Sequence, residues 1–376
     1  MINIESLENC CGCAACVNVC PKQCIIMRPD KKGFFYPQID TDLCIHCNLC
    51  EKVCPIINRT DSIRPIMVEA MKSKSVKDVK FSSSGAICYE LSRYFINNGG
   101  VVYGAAWTEN LTVRHIRVTD NAVLEKIRGS KYLQSEIGDI LKTVKADLVD
   151  KKNVLFIGTP CQVAGMKRYL RKEYRNLTTI DFVCHGVPSQ VIFNRIITDL
   201  EKRNGSRVQE VNFRSKKKSW REFGTDFKLQ NGINIYIRNS KSVFYRGFMS
   251  NLYLRDCCYK CPFTDNRNYS DITVADLWGV EFVRPEIDDN TGINLVLVRS
   301  QQGRELFDNC SVLFNRFGYD YQDALKYNPA IEIPPKCHPF SIWYWKYLIK
   351  LPVRYGILLA LLSGRILGYL KKKNDE

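Results

Sequence analysis

Eight of the eighteen cysteines fall into two identical runs, and these constrain the chain more than any other feature. Cys10, Cys13, Cys16 and Cys20 follow the spacing C-x2-C-x2-C-x3-C, with Pro21 next; Cys44, Cys47, Cys50 and Cys54 repeat it, with Pro55 next. A cubane iron–sulfur cluster needs four thiolates at tetrahedral corners. Two-residue gaps let one turning loop point three sulfurs at a cube, and in two-cluster ferredoxins the fourth comes from the other run. Cys10, Cys13, Cys16 and Cys54 are therefore expected to hold one 4Fe-4S cluster, and Cys44, Cys47, Cys50 and Cys20 a second. Each proline stops a helix and removes a backbone donor near the sulfurs. Structural zinc usually pairs two C-x2-C arms across a longer loop, which this doubled pattern does not resemble. No three cysteines have the C-x3-C-x2-C spacing of a radical-enzyme loop. Cys11 and Cys24 lie outside the frame and read as spare thiols.

The remaining composition decides compartment and partners. With 376 residues and 45% hydrophobic content, the chain is long enough for two or three domains, so its cysteines are not the disulfide framework of a small secreted protein. The opening MINIESLENC has no apolar stretch of the signal-peptide kind, and the expectation is a reducing cytoplasm in an anaerobic host. The formal net charge is +16, yet residues 1–60 balance six Lys/Arg against six Asp/Glu, so the excess lies beyond them. Each oxidised four-thiolate cubane carries about −2, which offsets part of it. Basic surface suits a membrane, an anionic ligand or nucleic acid. No helix-turn-helix or RNA-binding signature is present, so nucleic acid is not expected as a partner.

The fold class expected is a multidomain α+β chain. Residues 1–60 form a ferredoxin-like domain with two 4Fe-4S clusters, with FFYPQID as a short strand, and 61–80 a lysine-rich linker. An α/β domain spans 81–335 and a basic amphipathic tail 336–376. In SSSGAICYELSRYFINNGG, Ser83 or Ser84 is placed to cap a helix that ends at Asn98-Gly99-Gly100. VVYGAAW reads as a strand. VLFIG (154–158) and LTTIDFV (177–183) are strand-like, and each is followed by a helical pattern, which predicts a largely parallel sheet. Residues 208–238 read as β structure turning at Asn231-Gly232, and DITVADLWG and NLVLVRS as further strands. The basic stretch RSKKKSWR (214–221) is either a solvated loop or a clamp for an anion.

Ligands in such sheets sit beyond the carboxyl ends of the strands. Those ends carry Cys161 in GTPC and Cys184 in CHGVP, and Cys258 and Cys261 form a C-x2-C pair elsewhere. Together they could hold a third 4Fe-4S cluster; a zinc site, a Cys258/Cys261 redox disulfide or spare thiols are the alternatives. Cys257 competes with Cys258 but loses the two-residue gap to Cys261. Cys88, Cys310 and Cys337 read as core. Cubanes pass single electrons, so two-electron chemistry needs a converter such as flavin. There is no G-x-G-x-x-G fingerprint. Ser83, Ser84 and Gly85, with Gly129, Ser130 and Lys131, are the candidates for holding a phosphate-bearing cofactor. His185 is a candidate proton donor, with a structural loop histidine as the alternative.

The tail from Ser341 has no uncharged run long enough to span a bilayer. On one continuous helix, Lys346, Lys350, Arg354, Arg365 and Lys372 share a face. That pattern suits an anionic membrane surface or docking on a protein.

SSSGAICYELS, GSKYLQS, IGTPCQVAGMKRYL, DFVCHGVPS, RDCCYKCPF and DITVADLWG together resemble the coenzyme F420 hydrogenase/dehydrogenase beta-subunit family, over roughly residues 2–335. The resemblance implies an iron–sulfur flavoprotein with FAD, moving electrons between clusters, flavin and a deazaflavin coenzyme or small substrate. It also implies a redox partner protein and a role in surface-polysaccharide pathways. The chain is thus expected to be an oxidoreductase, in the cytoplasm or peripherally at the membrane. A non-catalytic electron-transfer protein feeding a partner enzyme is the alternative.

Overall fold

The structure is a computed structural model and describes residues 7–59, 61–267 and 269–374. The repeated cysteine spacing produces a repeated backbone. In the first run Gly12 and Ala14 have positive φ (72° and 59°); in the second, His46 and Asn48 at the equivalent positions do too (55° and 57°). Two left-handed residues one apart coil each loop tightly, and each then enters a short helix, Ala15–Val19 or Leu49–Lys52. Strands β1 (Ile25–Pro29) and β2 (Phe35–Ile39) pair antiparallel between the runs.

A nine-stranded mixed sheet organises the rest. Its strands are β3 (Met67–Ser73), β4 (Val101–Trp107), β5 (Val113–Val118), β6 (Ser135–Glu136), β7 (Val154–Ile157), β8 (Leu177–Phe182), β12 (Ile272–Asp276), β13 (Asn294–Val298) and β14 (Phe314–Gly318). The order is β14-β3-β13-β12-β8-β7-β4-β5-β6. The centre, β12-β8-β7-β4, is parallel throughout; β13, β3, β14 and β5 join antiparallel to their inner neighbours, and the short edge strand β6 is parallel to β5. The expected parallel sheet is therefore the core of a mixed one. Met67–Ser73 lies in the stretch read as a linker, but it is an inner strand between β13 and β14.

Strand alternation sorts the core into two layers, as a period of two requires. Val101, Tyr103, Val154 and Phe156 pack with helices Ile140–Val149 and Pro160–Leu170. Val102, Leu155 and Ile157 face the opposite layer, with helices Ile87–Asn97 and Gln301–Asn309. An antiparallel meander, β9 (Val208–Ser215), β10 (Gly224–Leu229) and β11 (Asn234–Arg238), turns at Asn231-Gly232 as the sequence indicates.

The ferredoxin unit is docked on this core. Ala14, Ala15 and Val53 pack in the same cluster as Val163 and Met166. Gly165 makes the approach possible: a Cβ there would stand 2.7 Å from both Cβ and Sγ of Cys13. Lys32 pairs with Asp256 at 2.8 Å, and the Ser189 hydroxyl donates to the Lys32 carbonyl.

The tail is helical but not one helix. Ser341–Lys346 and Val353–Asn374 are separated by a turn at Leu348–Lys350, and Pro352, which has no N–H to donate, precedes the second helix. Tyr344, Val353, Ile357, Ala360 and Leu361 are buried against the helix Gln190–Asn204 and its neighbours. The Arg195 guanidinium donates to the carbonyls of Ile349 and Leu351. A second apolar row faces outward: Trp343, Tyr347, Leu351, Tyr355, Leu359, Leu362 and Ile366 are all exposed. Lys346, Lys350 and Arg354 are exposed beside it; the side chains of Arg365 and Lys372 lie outside the described residues. Among the described residues no helix is long and apolar enough to cross a membrane.

Candidate functional site

The cysteines line three separate cavities. Cys10, Cys13, Cys16 and Cys54 surround the first, with Cys11, Met27, Pro37 and Ile56. Cys20, Cys44, Cys47 and Cys50 surround the second, together with Cys24. The fourth member of each set thus comes from the opposite run. Cys24, read as spare, shares a corner with Cys20: their sulfurs are 3.4 Å apart. Cys47 is exposed, so the second cavity lies at the surface.

The third cavity opens at the carboxyl edge of the parallel strands. Cys161 sits in the first turn of the helix after β7, its Sγ 3.1 Å from the Thr159 hydroxyl. Cys184 follows β8. These two line one space with Cys258 and Cys261, and Cys11 and Cys257 add to the wall. Gly186, at φ 121°, clears the approach; a Cβ there would lie 3.2 Å from Cys258 Cβ. Electrostatics report the same convergence. Burial pushes the Cys184 thiol up, and Cys258, Cys161 and Cys261 push it further. Burial, aided by Cys258 and Cys161, pushes Cys261 up to about 12. Such thiols stay protonated until a cation displaces the protons.

The donor chemistry fits iron–sulfur clusters. Among the described residues no three His, Cys, Asp or Glu side chains converge on a single metal ion. Each expected set of four thiols instead lines one cavity, the donor set that a 4Fe-4S cluster takes. Cys88 and Cys310 pack in the core as expected, but Cys337 is exposed, because the segment before the tail crosses the surface.

Apart from the cysteine cavities, the loops at 83–85, 129–131 and 214–216 converge in a cationic cluster, called the cleft below. Ser83 and Ser130 meet there: the Ser130 N–H donates to the Ser83 hydroxyl at 2.9 Å. Arg214 is buried, donates to the Ser83 carbonyl at 3.3 Å, pairs with Asp276 at the end of β12 at 2.9 Å, and stacks on Phe223. Lys216 donates to the carbonyls of Ser84 (3.1 Å) and Thr291 (2.7 Å). Lys131 donates to those of Arg128 and Gly129. Burial lowers both lysines to about 7, and the nearby Arg214 adds to the shift at Lys216. The basic stretch at 214–221 thus divides: Arg214 and Lys216 turn inward, and Lys217 and Lys218 are exposed.

Two expectations for this cleft change. The helix begins at Ile87 with Ala86, at φ 70°, as its cap, so neither Ser83 nor Ser84 caps it. The Ser84 hydroxyl donates to the Ile293 carbonyl, and Gly85 is pressed against β3 and β13, where a Cβ would come within 2.8 Å of the Met71 carbonyl oxygen. Those two residues hold the loop, while the Ser130 hydroxyl donates to the Ser83 hydroxyl at 3.0 Å and Gly129, at φ 80°, has open space beside it. His185 does not line the cysteine cavity. It stands edge-on to Phe248, 5.1 Å between ring centroids, and Phe248 separates it from Tyr132. Burial lowers its pKa.

Sequence reasoning missed Asp276, Gln134 and Arg255. Asp276 ends the DITVAD strand and Arg255 begins RDCC, so both stood in quoted stretches without a visible partner. Gln134 lies in GSKYLQS.

Comparison with known proteins agrees with these two parts. Residues 151–312 match the carboxyl-terminal region of the family described as "Coenzyme F420 hydrogenase/dehydrogenase, beta subunit", and residues 9–56 match the "4Fe-4S dicluster domain". The chain is 22% identical over 300 residues to a subunit of the F420H2 dehydrogenase of Methanosarcina mazei, covering 74% of this chain and 80% of that protein. It is 34% identical over 77 residues to an uncharacterized ferredoxin of Methanocaldococcus jannaschii, covering 20% of this chain and 94% of that protein. A chain of the F420-reducing nickel–iron hydrogenase complex from Methanosarcina barkeri aligns with a TM-score of 0.47 and 15% identity, over 71% of this chain and 91% of that one. The N-terminal region is a 4Fe-4S dicluster domain.

Proposed function

We propose that this chain, which belongs to the coenzyme F420 hydrogenase/dehydrogenase beta-subunit family, is an iron–sulfur flavoprotein oxidoreductase. One observation carries the reading: Cys11 lines both the first and the third cavity. A single residue thus separates the ferredoxin cluster site from the site on the sheet edge. We assign cluster ligation to Cys10, Cys13, Cys16 and Cys54; to Cys20, Cys44, Cys47 and Cys50; and to Cys161, Cys184, Cys258 and Cys261. Electrons would enter or leave at the exposed Cys47 rim and traverse the three sites toward the cationic cleft.

FAD is the cofactor we assign to that cleft; when bound it exchanges electrons singly or in pairs and so couples clusters to a two-electron substrate. Ser83, Ser130, Lys131 and Lys216 would hold its phosphates by hydrogen bonds and charge. Gly129 leaves room for the approach, and Ser84 and Gly85 fix the loop. Tyr132 and Phe248 exclude water on the side toward His185, which we assign to holding the Cys184 loop rather than to proton transfer.

The substrate class is a deazaflavin-like coenzyme or a small oxidisable molecule. A purely electron-transferring role within a larger enzyme is the second reading, and the matched F420H2 dehydrogenase protein, named as one subunit of its enzyme, favours it. We further propose that the outward apolar row of the tail, flanked by Lys346, Lys350 and Arg354, rests on an anionic membrane surface. Such attachment would suit a surface-polysaccharide precursor as substrate.

Anaerobically purified protein should contain FAD and about twelve irons per chain, and should oxidise reduced deazaflavin, nicotinamide or ferredoxin unaided. Protein that stays flavin-free after reconstitution with excess FAD would overturn the flavoprotein reading. Full cofactor content without turnover unless a partner is added would favour the electron-transfer reading.

A further inference from the structure

Arg255 is 1% exposed. Its three nitrogens are all engaged: Nε donates to the Cys10 carbonyl at 2.7 Å, Nη1 to Gln134 Oε1 at 3.1 Å and Nη2 to the Phe35 carbonyl at 2.9 Å. Its plane lies over Tyr36, 4.2 Å from the ring centroid. Every acceptor is neutral, and among the described residues no carboxylate forms an ion pair with it. The adjacent Asp256 is committed to Lys32. Gly12 makes way for it, since a Cβ there would stand 3.1 Å from Nη1.

A buried cation whose hydrogen bonds are satisfied but whose charge is not is costly, unless a counter-charge lies close by. The guanidinium touches the first-run loop through Cys10 and also lines the third cavity. It does not line the second. Four thiolates make a loaded cubane anionic, so both neighbouring sites become negative when filled. This rests on the cluster assignment above.

We propose that Arg255 is a shared counter-ion: one buried positive charge that raises the reduction potentials of the clusters at Cys10/Cys13/Cys16/Cys54 and at Cys161/Cys184/Cys258/Cys261 together, and leaves the cluster at Cys20/Cys44/Cys47/Cys50 unaffected. Reduction adds one electron to a cluster, and a nearby fixed cation stabilises the reduced form. Holding two sites up together favours electron sharing between them. Arg255 is thus a positioning and tuning residue, not a catalytic one.

The test is an EPR-monitored redox titration of the anaerobic holoprotein. Arg255→Gln removes the charge, and Gln134→Glu neutralises it while keeping both acceptor roles of that side chain, toward Nη1 and the Phe35 N–H. Each should shift the reduced-to-oxidised ratio of the two adjoining clusters by about tenfold, or about 59 mV for a one-electron couple, toward the oxidised form. Arg255→Lys should retain most of the wild-type potential. The surface cluster, at the cavity Arg255 does not line, is the internal control. Equal shifts at all three clusters would show general loosening and overturn the proposal, as would unchanged potentials in fully loaded Gln134→Glu. Should Arg255→Gln fail to load, Gln134→Glu alone decides. About eight irons per wild-type chain would instead defeat the third-cluster assignment, and the shift at the Cys10 set would still be read.

Discussion

The backbone N–H of Ser130 donates to the hydroxyl of Ser83, 47 residues earlier in the chain, at 2.9 Å. Two short stretches that are each ordinary Ser/Gly turns are thereby joined, and Arg214 and Lys216 reach them from a third stretch through the carbonyls of Ser83 and Ser84. The flavin assignment depends on that assembly. Lys216→Ala should weaken FAD binding by more than about tenfold, the loss of a charge-assisted hydrogen bond worth about 1.5–3 kcal/mol, and leave iron content unchanged. Flavin fluorescence titration of apo-flavin protein, with iron assayed in parallel, checks it.

The same cleft should titrate. Burial lowers Lys131 and Lys216 to about 7, and a bound phosphate would raise both again. Binding then takes up protons above about pH 7. FAD affinity should be flat below about pH 7 and fall as pH rises through and above it. Affinity that rises over that range would contradict the assignment. For folding the sign is opposite: charging these buried lysines is unfavourable, so their penalty applies below about pH 7 and is relieved as pH climbs toward their ordinary value.

Cys261→Ser separates the third site from the ferredoxin pair. Iron should drop from about twelve to about eight per chain, with the two ferredoxin EPR signals kept. Cys13→Ser, by contrast, should remove one ferredoxin cluster and weaken its neighbour, since Cys54 and Cys20 tie the two loops together. An unchanged iron count in either variant would refute the corresponding ligand set.

Gly165→Ala tests the docking of the ferredoxin unit. The added methyl would meet the Cys13 Cβ and Sγ at 2.7 Å, and overpacking of that kind costs about 1–3 kcal/mol. The variant should melt earlier and show an altered signal from the Cys13 cluster, while the Cys47 site keeps its own.

The tail prediction needs substitutions, because Tyr344, Ile357 and Leu361 are core residues and deleting 341–376 would uncover them. Trp343, Tyr355 and Leu359 changed together to Ser should abolish flotation with anionic vesicles at low salt without altering thermal stability. Charge reversal at Lys346 and Lys350 should weaken it by about 1 kcal/mol per cation removed from the surface. Wild-type protein that stays with neutral and anionic vesicles alike, or with neither, would defeat the membrane reading.

Much of this arrangement was legible because cysteine spacing is a covalent constraint: the two runs predict which thiols share a loop, and Cys54 lines the cavity of the first run and Cys20 that of the second. Strands 154–157 and 177–182 were legible from their apolar runs, and with them the placement of Cys161 and Cys184 at one edge. What escaped notice depends on contacts distant in sequence. Met67–Ser73 reads as linker because Glu69 and Lys72 interrupt its apolar pattern; Glu69 is paired by Arg316 and Lys72 by Asp289. Ser83 and Ser84 have the chemistry of a helix cap, but Lys216, Arg214 and Ile293 claim their loop first. Nothing near Arg255 in sequence announces Cys10, Phe35 or Gln134.

The docked ferredoxin unit has a kinetic meaning. A redox module on a flexible tether must search for its acceptor, and its internal transfer is then gated by diffusion. Here Lys32 is held to Asp256, helix Ala15–Val19 lies on helix Pro160–Leu170, and Gly165 admits Cys13 at contact distance. On the electron path proposed above, the productive arrangement would already be the resting one. Passage from the ferredoxin unit into the sheet edge would then depend on tunnelling distance alone, and the slow events of a catalytic cycle would be displaced to its two ends: the encounter at the Cys47 rim and the exchange of substrate at the cleft.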